Sequence, residues 1–559
     1  PCRARLACMG SAFLHGRHWL RREKEEPPFL PDLGDGPLLS RLDAVLRAGK
    51  ASPATDPRGA VAAHFARRAR PVFFCSPVDV QGLAARLHAE RPAAVAALRA
   101  RVQADRVHGL HVVGRRDGPL DQGVTWCGIT PGPGADDLYA AQPHRFGFVP
   151  RLALAALHGD DTTPLLRQVL ESWIDAVAAG EPECYHSPLA VLYRVLACSW
   201  TLVLVAGGPA PSPLRDELVF TLLKILVADR DYLEPTVGHS YPNNHLLADG
   251  FAAWFVGLMY PEFGGADALL ARGEALFTRE LMRQFHADGG NFEQSTHYHE
   301  LGCEMAAAFV LLSRHNGRTV PTEVDDRLHA MLAFQAALGG PQARPLPLGD
   351  TTEDPLFPLD AEHGWANGAL RELLRAMYEP ALAAAPASDA TVARAYWMLG
   401  GDLAPIRQPA AAEPTRHFDQ AGVHVLADEA LDARLVFRAG PMADQALSAG
   451  HAHADVLSLH LNVGGRPVVV NSGTGTYRAA GRRWPVGCPD WRHYFAGPRS
   501  HNAVFVGVDP FGPMTGDFRN RDVPCRVRLR RRSFGPGIGF LEFEVVATNA
   551  ADGLRRCVV

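Results

Sequence analysis

Cysteine is scarce and unpatterned in this chain, with ten residues in 559 and no C-x-x-C pair. That excludes a zinc ribbon and a redox dithiol, and the density is too low for a disulfide framework, so the thiols read mostly as small buried hydrophobes. A basic excess is also missing. Fifty-six Lys and Arg face 60 Asp and Glu for a net charge of -4, and duplex nucleic acid is not an expected partner. The longest apolar run, 188–207, is interrupted by Arg194 and carries Tyr193, Cys198 and Ser199, which suits a buried helix better than a membrane span. The N-terminal apolar stretch, 6–14, is short and broken and makes no convincing signal peptide. The expected location is periplasmic or secreted if an upstream signal has been removed, and cytoplasmic otherwise.

What the chain does have is length, a sizeable apolar fraction and histidine. Single cores stop growing near roughly 250–300 residues, so at least two domains are expected. Hydrophobic and charged contents of 47% and 21% are those of a globular chain. From 137 to 399 the apolar spacing is helical, as in Leu218, Leu222 and Leu226, then Leu246, Phe251, Phe255 and Leu258. Gly and Pro clusters punctuate it, and repeated helix pairs suggest an α/α toroid. Residues 1–136 read as peripheral helices and 400–415 as a Pro-rich and Ala-rich linker. After the linker come short β-branched segments at 422–426, 433–438, 456–463, 467–471, 503–508, 525–531 and 539–546, with another strand beginning at 555. These read as an antiparallel β-sandwich over 416–559, expected to be truncated at its C-terminal end.

Several of the 24 histidines fall in tight groups. In Gly450-His451-Ala-His453-Ala-Asp455, a strand would point residues i, i+2 and i+4 to one face and bring the trio together. A ligand or catalytic set is the functional reading, and satisfied core histidines are the bland one. Asn243-Asn244-His245 precedes an apolar helix, placing two amides and an imidazole where backbone N–H groups favour an anion such as a carboxylate; simple capping by Asn would account for one of them. Tyr298 stands between His297 and His299, after Asp288-Gly-Gly-Asn-Phe-Glu293 and before an apolar helix expected over 305–312, where neighbouring cationic or hydrogen-bonding groups can bring its pKa toward the working range. The alternative is a tyrosine that anchors the helix entry. His501, in Ser-His-Asn, and Asn471, in Asn-Ser-Gly-Thr-Gly-Thr-Tyr477, can join His453 in a three-point metal site.

Taken in order, Asn-Asn-His, Asp-Gly with Glu-Gln-Ser and Tyr-His, His-x-His-x-Asp, Asn-Ser-Gly-Thr-x-Thr-Tyr and Ser-His-Asn resemble the heparinase II/III-like polysaccharide lyases, a group that includes alginate and oligo-alginate lyases. Pro143-His-Arg-Phe-Gly-Phe and Leu348-Gly-Asp350 extend the likeness, so that it runs from about 138 to 508. The resemblance implies an incomplete (α/α) toroid followed by an antiparallel β-sandwich, with a cleft between them. It also implies β-elimination on an anionic uronate polysaccharide, a glycosaminoglycan such as heparan sulfate, hyaluronan or chondroitin first and alginate next. On this basis Asn244, Tyr298 and His451 are the catalytic positions with His245 assisting, and His299, Tyr477 and Arg492 are candidates for binding the sugar. A structural divalent cation, zinc foremost with manganese or calcium as alternatives, is expected at His453, Asn471 and His501. The family usually has Asp where this chain has Asn471, which removes one negative charge from that site. Two other classes stand beside this reading. One is a noncatalytic glycan-binding or polysaccharide-assembly protein. The other is a hydrolase using Asp288, Glu293 or Glu300, for which no second acid is evident in the β domain.

Overall fold

Serine followed by proline starts two of the long helices. Ser187 and Ser212 sit in extended backbone and accept the amide hydrogens of Ala190 and Arg215, while Pro188 and Pro213 occupy the first turn, where a missing N–H costs nothing. The computed structural model describes residues 29–48, 56–112, 115–116, 118–126, 138–209, 212–340, 346–352, 354–361, 367–382, 392–402, 415–428, 430–440, 450–477, 491–503, 525–535, 538–547 and 554–558. Helices follow one another at Val149–Leu157, Thr163–Ala178, Pro188–Ala206, Pro213–Thr236, Asn244–Met259, Ala266–Gln284, Thr296–His315, Thr322–Gly339, Asn367–Met377 and Val392–Met398. Many sequential neighbours pack on each other, as expected of an α/α toroid.

The helix Pro188–Ala206 is long and apolar enough to cross a membrane by length and composition, yet 94% of its apolar window is buried inside the protein. Arg194 in its middle donates to Asp229 (Nη2–Oδ1 2.7 Å) and to the carbonyls of His144 and Cys184. Burying that guanidinium is tolerable because charge and donors are both matched. The helices Asn244–Met259 and Ala266–Gln284 meet almost backbone to backbone. A Cβ on Gly273 would lie 2.1 Å from the Trp254 amide nitrogen and one on Gly257 would lie 2.5 Å from that of Leu270, so only glycine allows this approach. The N-terminal helices Asp35–Ala48, Pro57–Arg67, Val80–Glu90 and Pro92–His108 join the same core. Phe73 and Phe74, from the segment between the second and third of them, pack on Trp200 with ring centroids 4.6 and 5.3 Å away.

The second part is two antiparallel meanders. One sheet runs Arg416–Phe418, Val423–Asp428, Ala433–Arg438, Ser458–Val463 and Arg466–Val469; the other runs Cys525–Gly535, Ile538–Ala547 and Leu554–Val558. Alternation in Ala433–Arg438 explains how the five-stranded sheet is covered on both faces. Leu435 and Phe437 face the smaller sheet, packing with Leu541 and Phe543. Arg434 and Val436 face the helices, where Val436 and Phe418 meet Phe334 and Leu338 and Arg434 Nε donates to the Ala337 carbonyl at 2.9 Å.

Two expectations need correction. The His451-x-His453-x-Asp455 segment is not a strand: pairing begins at Ser458, after a turn in which Leu457 has φ 61°. Residues of both parities are buried there, because the segment runs between two packed layers and has no solvent face. The helix expected near 305 begins at Thr296, so Tyr298 lies in its first turn. The expected strand at 503–508 falls almost wholly outside the described residues, as does most of the 400–415 linker.

Candidate active site

Two helix N-termini and two loops of the sandwich build one buried polar cluster. At the start of Asn244–Met259, Asn243 is the cap, its Oδ1 accepting the His245 amide hydrogen at 3.0 Å. The capping alternative thus accounts for Asn243. Asn244 donates from its backbone N and its Nδ2 to Glu293 Oε1 at 3.0 and 3.1 Å. The group that meets this helix N-terminus is therefore the protein's own Glu293 carboxyl, which is wholly buried. Burial pushes the Glu293 carboxyl above its ordinary pKa, with His451 and Asn244 opposing. Asn244 Oδ1 is buried without a partner among the described residues, and His245 beside it is half-buried.

At the start of Thr296–His315, Ser295 accepts the Tyr298 amide hydrogen at 3.2 Å and donates its own hydroxyl to the Asp350 carbonyl at 2.7 Å. That ties the helix to the loop carrying Asp350. Gly349, at φ 63°, lets the two segments touch: a Cβ there would meet the His451 carbonyl oxygen at 2.5 Å and that of Gln294 at 2.8 Å. Asp350 N donates to the same His451 carbonyl at 2.8 Å.

Asp350 is the hub. Its carboxyl bonds His451 Nδ1 at 3.1 Å, His453 Nε2 at 2.9 Å and Arg492 Nη2 at 2.8 Å, with a second short contact from Arg492 Nη1. Burial opposes ionisation, but Arg492 and the two imidazoles hold this carboxyl well below the usual range. His451 and His453 thus do converge, on a carboxylate supplied by the toroid. Asp455 does not join them; it pairs with Arg438 at 3.0 Å, both wholly buried.

Around His451 the aromatic groups close in. The Tyr298 and Tyr477 hydroxyls are hydrogen-bonded to each other, Tyr477 Oη lies 3.2 Å from His451 Nδ1, and His451 Nε2 is 3.8 Å from Glu293 Oε2. Tyr298, Tyr477 and His451 retain 6, 8 and 5% exposure whereas Asp350, Glu293 and Arg492 retain none, so the first three are what a ligand can reach.

The placement of His299 and Arg492 does not support their expected sugar contacts. His299 Nε2 is 2.9 Å from the Gly289 carbonyl and its Nδ1 is 3.5 Å from Cys303 Sγ; burial pushes its pKa down to about 4. Adjacent helix residues point about 100° apart, so His299 is turned to other partners, while the His297 ring stays edge-on to Tyr298 with centroids 5.2 Å apart. His297 is 2.8 Å from Thr352 Oγ1. Arg492 spends its guanidinium on Asp350. Asp350 enters the sequence reading only within Leu348-Gly-Asp350, as part of the resemblance, and no role is assigned to it there.

The expected metal ligands lie on the sandwich side. His453 keeps Nδ1 buried without a partner, as His501 does both ring nitrogens, among the described residues; the two ring centroids are 5.3 Å apart. Asn471 Oδ1 accepts the Gly473 amide hydrogen at 2.9 Å and keeps a second lone pair. The carboxylate of Asp350 behind His453 is the kind of support a metal-bound imidazole has. These residues fit a cation that accepts nitrogen and oxygen donors, although no cluster of three His, Cys, Asp or Glu suited to a metal occurs among the described residues.

Residues 210–356 match the family described as Heparinase II/III N-terminus, and residues 410–554 match Heparinase II/III-like, C-terminal. The chain belongs to the heparinase II/III-like family. Its fold is similar to that of a heparinase III crystal structure, with a TM-score of 0.63 and 18% identity over 93% of this chain and 75% of that one. It is also similar to a mutant of the heparan sulfate lyase HepC from Pedobacter heparinus, with a TM-score of 0.50 and 16% identity over 96% and 76% of the two chains. In sequence, 105 residues are 30% identical to the heparin-sulfate lyase of Bacteroides stercoris. That match spans 18% of this chain and 16% of the relative. The fold expectation, a helical toroid followed by antiparallel sheets, holds over the described residues, and the polar cluster lies where the two parts meet.

Proposed function

We propose that this protein is a polysaccharide lyase that cleaves uronate-containing glycans by β-elimination, with a heparin-type glycosaminoglycan as substrate. The carrying observation is the Tyr298, Tyr477 and His451 group at the junction of toroid and sandwich, linked to Asn244 through Glu293. Names of the matched relatives support the substrate class.

The chemistry asks for three things. The C5 proton beside a uronate carboxylate is weakly acidic, so donors must meet the charge that develops there. Asn244 and His245, at a helix N-terminus, supply an amide and an imidazole. A base must take the C5 proton while the C5–H electrons form the C4=C5 double bond and the C4–O bond breaks. An acid must protonate the departing oxygen. Tyr298 serves as both when proton and leaving group share one face of the sugar; His451, with Nδ1 oriented by Asp350, is the base when they lie on opposite faces. A zinc-like cation at His453, Asn471 and His501 would stiffen the loops carrying Tyr477 and His451, and no bond-making step passes through it.

The test is ultraviolet absorbance of the conjugated unsaturated uronate after incubation with heparan sulfate, hyaluronan, chondroitin sulfate and alginate separately. A rise with heparan sulfate is expected. New reducing ends without absorbance would replace the reading by hydrolysis, and silence in both assays would favour a glycan-binding protein.

A further inference from the structure

Glu293 is wholly buried, and the donors that reach its oxygens are the backbone N–H and the Nδ2 of Asn244. Three elements pack toward it, and two of them bring charged or titratable groups. His451 Nε2, from the sandwich loop, is 3.8 Å away. Arg283, from the helix Ala266–Gln284, contributes at longer range; its Nε and Nη2 are committed to Glu280 and the Pro242 carbonyl, and its Nη1 has no hydrogen-bond partner among the described residues. Asn244 heads the third element and is neutral. Among the described residues no guanidinium or ammonium pairs with Glu293, and burial outweighs the opposing His451 imidazole; a carboxyl so placed favours its neutral form, which carries a proton it can donate.

The amide of Asn244 has two orientations of the same shape, related by a half-turn that exchanges Oδ1 and Nδ2. In one of them Nδ2 points at Glu293 and Oδ1 is buried without a partner among the described residues. That arrangement would turn an oxygen toward the substrate carboxylate, which repels it. With the amide turned over, a protonated Glu293 donates to Oδ1, still accepts the Asn244 backbone N–H, and releases Nδ2 toward the carboxylate. Every group is then matched once an anion arrives.

We propose that Glu293 is a positioning residue whose acid proton fixes the Asn244 amide with its Nδ2 turned to the uronate carboxylate. This rests on the elimination reading above and names the group that sets its carboxylate-binding amide. The upward push on the Glu293 pKa by burial has the matching sign: the donating form is lost as pH rises through the folded value, and activity falls with it. A neutral carboxylic acid held as a donor inside an apolar site is a known enzymatic device.

Glu293→Gln decides the matter, because a glutamine amide donates to Oδ1 and accepts from the backbone N–H as the neutral acid does. It is expected to keep activity within a few-fold of wild type and to lose the alkaline fall of kcat/KM assigned to this carboxyl. Glu293→Ala, which lets the Asn244 amide turn freely, is expected to lose about 10²-fold or more. Equal losses in the two variants, or an alkaline limb unchanged in Glu293→Gln, would overturn the proposal. An infrared measurement needs no turnover: wild type at neutral pH should show a buried protonated-carboxyl band that Glu293→Gln lacks, and its absence overturns the proposal as well. Should Glu293→Ala not fold, the Glu293→Gln profile and the infrared band still decide. Wild type that forms no unsaturated uronate from any polymer removes the elimination reading, and the infrared band then judges the state of Glu293 separately.

Discussion

The Tyr298 ring lies stacked on the His451 imidazole, with centroids 3.8 Å apart and planes 18° from parallel. One group comes from the first turn of a toroid helix and the other from a sandwich loop 153 positions later in the numbering, so the pair exists only when both parts are folded and docked. Their polar ends meet through Tyr477, whose hydroxyl touches both.

Replacing Tyr298 by Phe keeps this ring contact and removes only the hydroxyl. Loss of a positioned acid or base costs about 10²–10⁴-fold in rate, so Tyr298→Phe should lower kcat by that order while oligosaccharide affinity, read by calorimetry, changes little. A variant that retains most of its turnover would assign the proton transfers elsewhere.

Asp350→Asn should be costly to stability as well as to activity. It leaves the Arg492 guanidinium wholly buried with its carboxylate gone, and breaking a buried pair from one side costs about 3–5 kcal/mol. Denaturant titration should show that loss, and Asp350→Asn combined with Arg492→Met should recover part of it. The pH sign follows from the depressed carboxyl pKa. Its stabilisation is present above the unfolded value near 4 and is lost as pH falls through the lower folded value, so in wild type it fails only in strong acid. Single and double variants of equal stability would show that the ion pair does not couple to folding.

Which parts of this were legible in sequence follows from the range of the interactions. The leucines at 218, 222 and 226 mark a helix by local spacing, and Pro213–Thr236 is that helix. The strand read at 433–438 coincides with Ala433–Arg438, because each face of that sheet has its own partner and alternation survives. Spacing failed at His451, His453 and Asp455, where burial on all sides abolishes the polar-apolar rhythm. It failed again at Asp350, whose three partners lie 101, 103 and 142 residues away and leave no local trace. His299, a sugar-binding candidate by the resemblance, adjoins Tyr298 in sequence, but helix geometry turns it to Gly289 and Cys303.

Buried imidazoles should make the protein lose stability in mild acid. Burial pushes His144 and His297 down to about 3, and His299, His424 and His460 down to about 4. Their folded values lie below the unfolded 6.5, so the stability they confer is complete above that pH and is lost as pH falls toward the folded values. Each group costs up to about 1.4 kcal/mol per pH unit over that window. Thermal unfolding followed between pH 7 and 5 should show a steadily falling Tm; a flat profile would mean that these rings are solvated or find acceptors on protonation.

The cation proposal is best tested through Asn471, because that side chain is where this protein departs from its family's usual Asp. With His453 and His501 supplying neutral nitrogens, an amide oxygen leaves the site without a formal negative charge, and charge count is one of the terms that set affinity for a divalent ion. Asn471→Asp adds that charge beside two imidazoles whose free nitrogens are already buried. It should raise zinc retention through dialysis and raise Tm in added zinc relative to chelator, since a ligand bound only by the folded state stabilises it by mass action. His453→Ala should do the reverse, lowering metal content and Tm together. Because both readouts are independent of turnover, a His453→Ala protein with wild-type metal content and Tm would remove the cation from this site whatever its effect on catalysis, which it could still exert through the lost contact to Asp350.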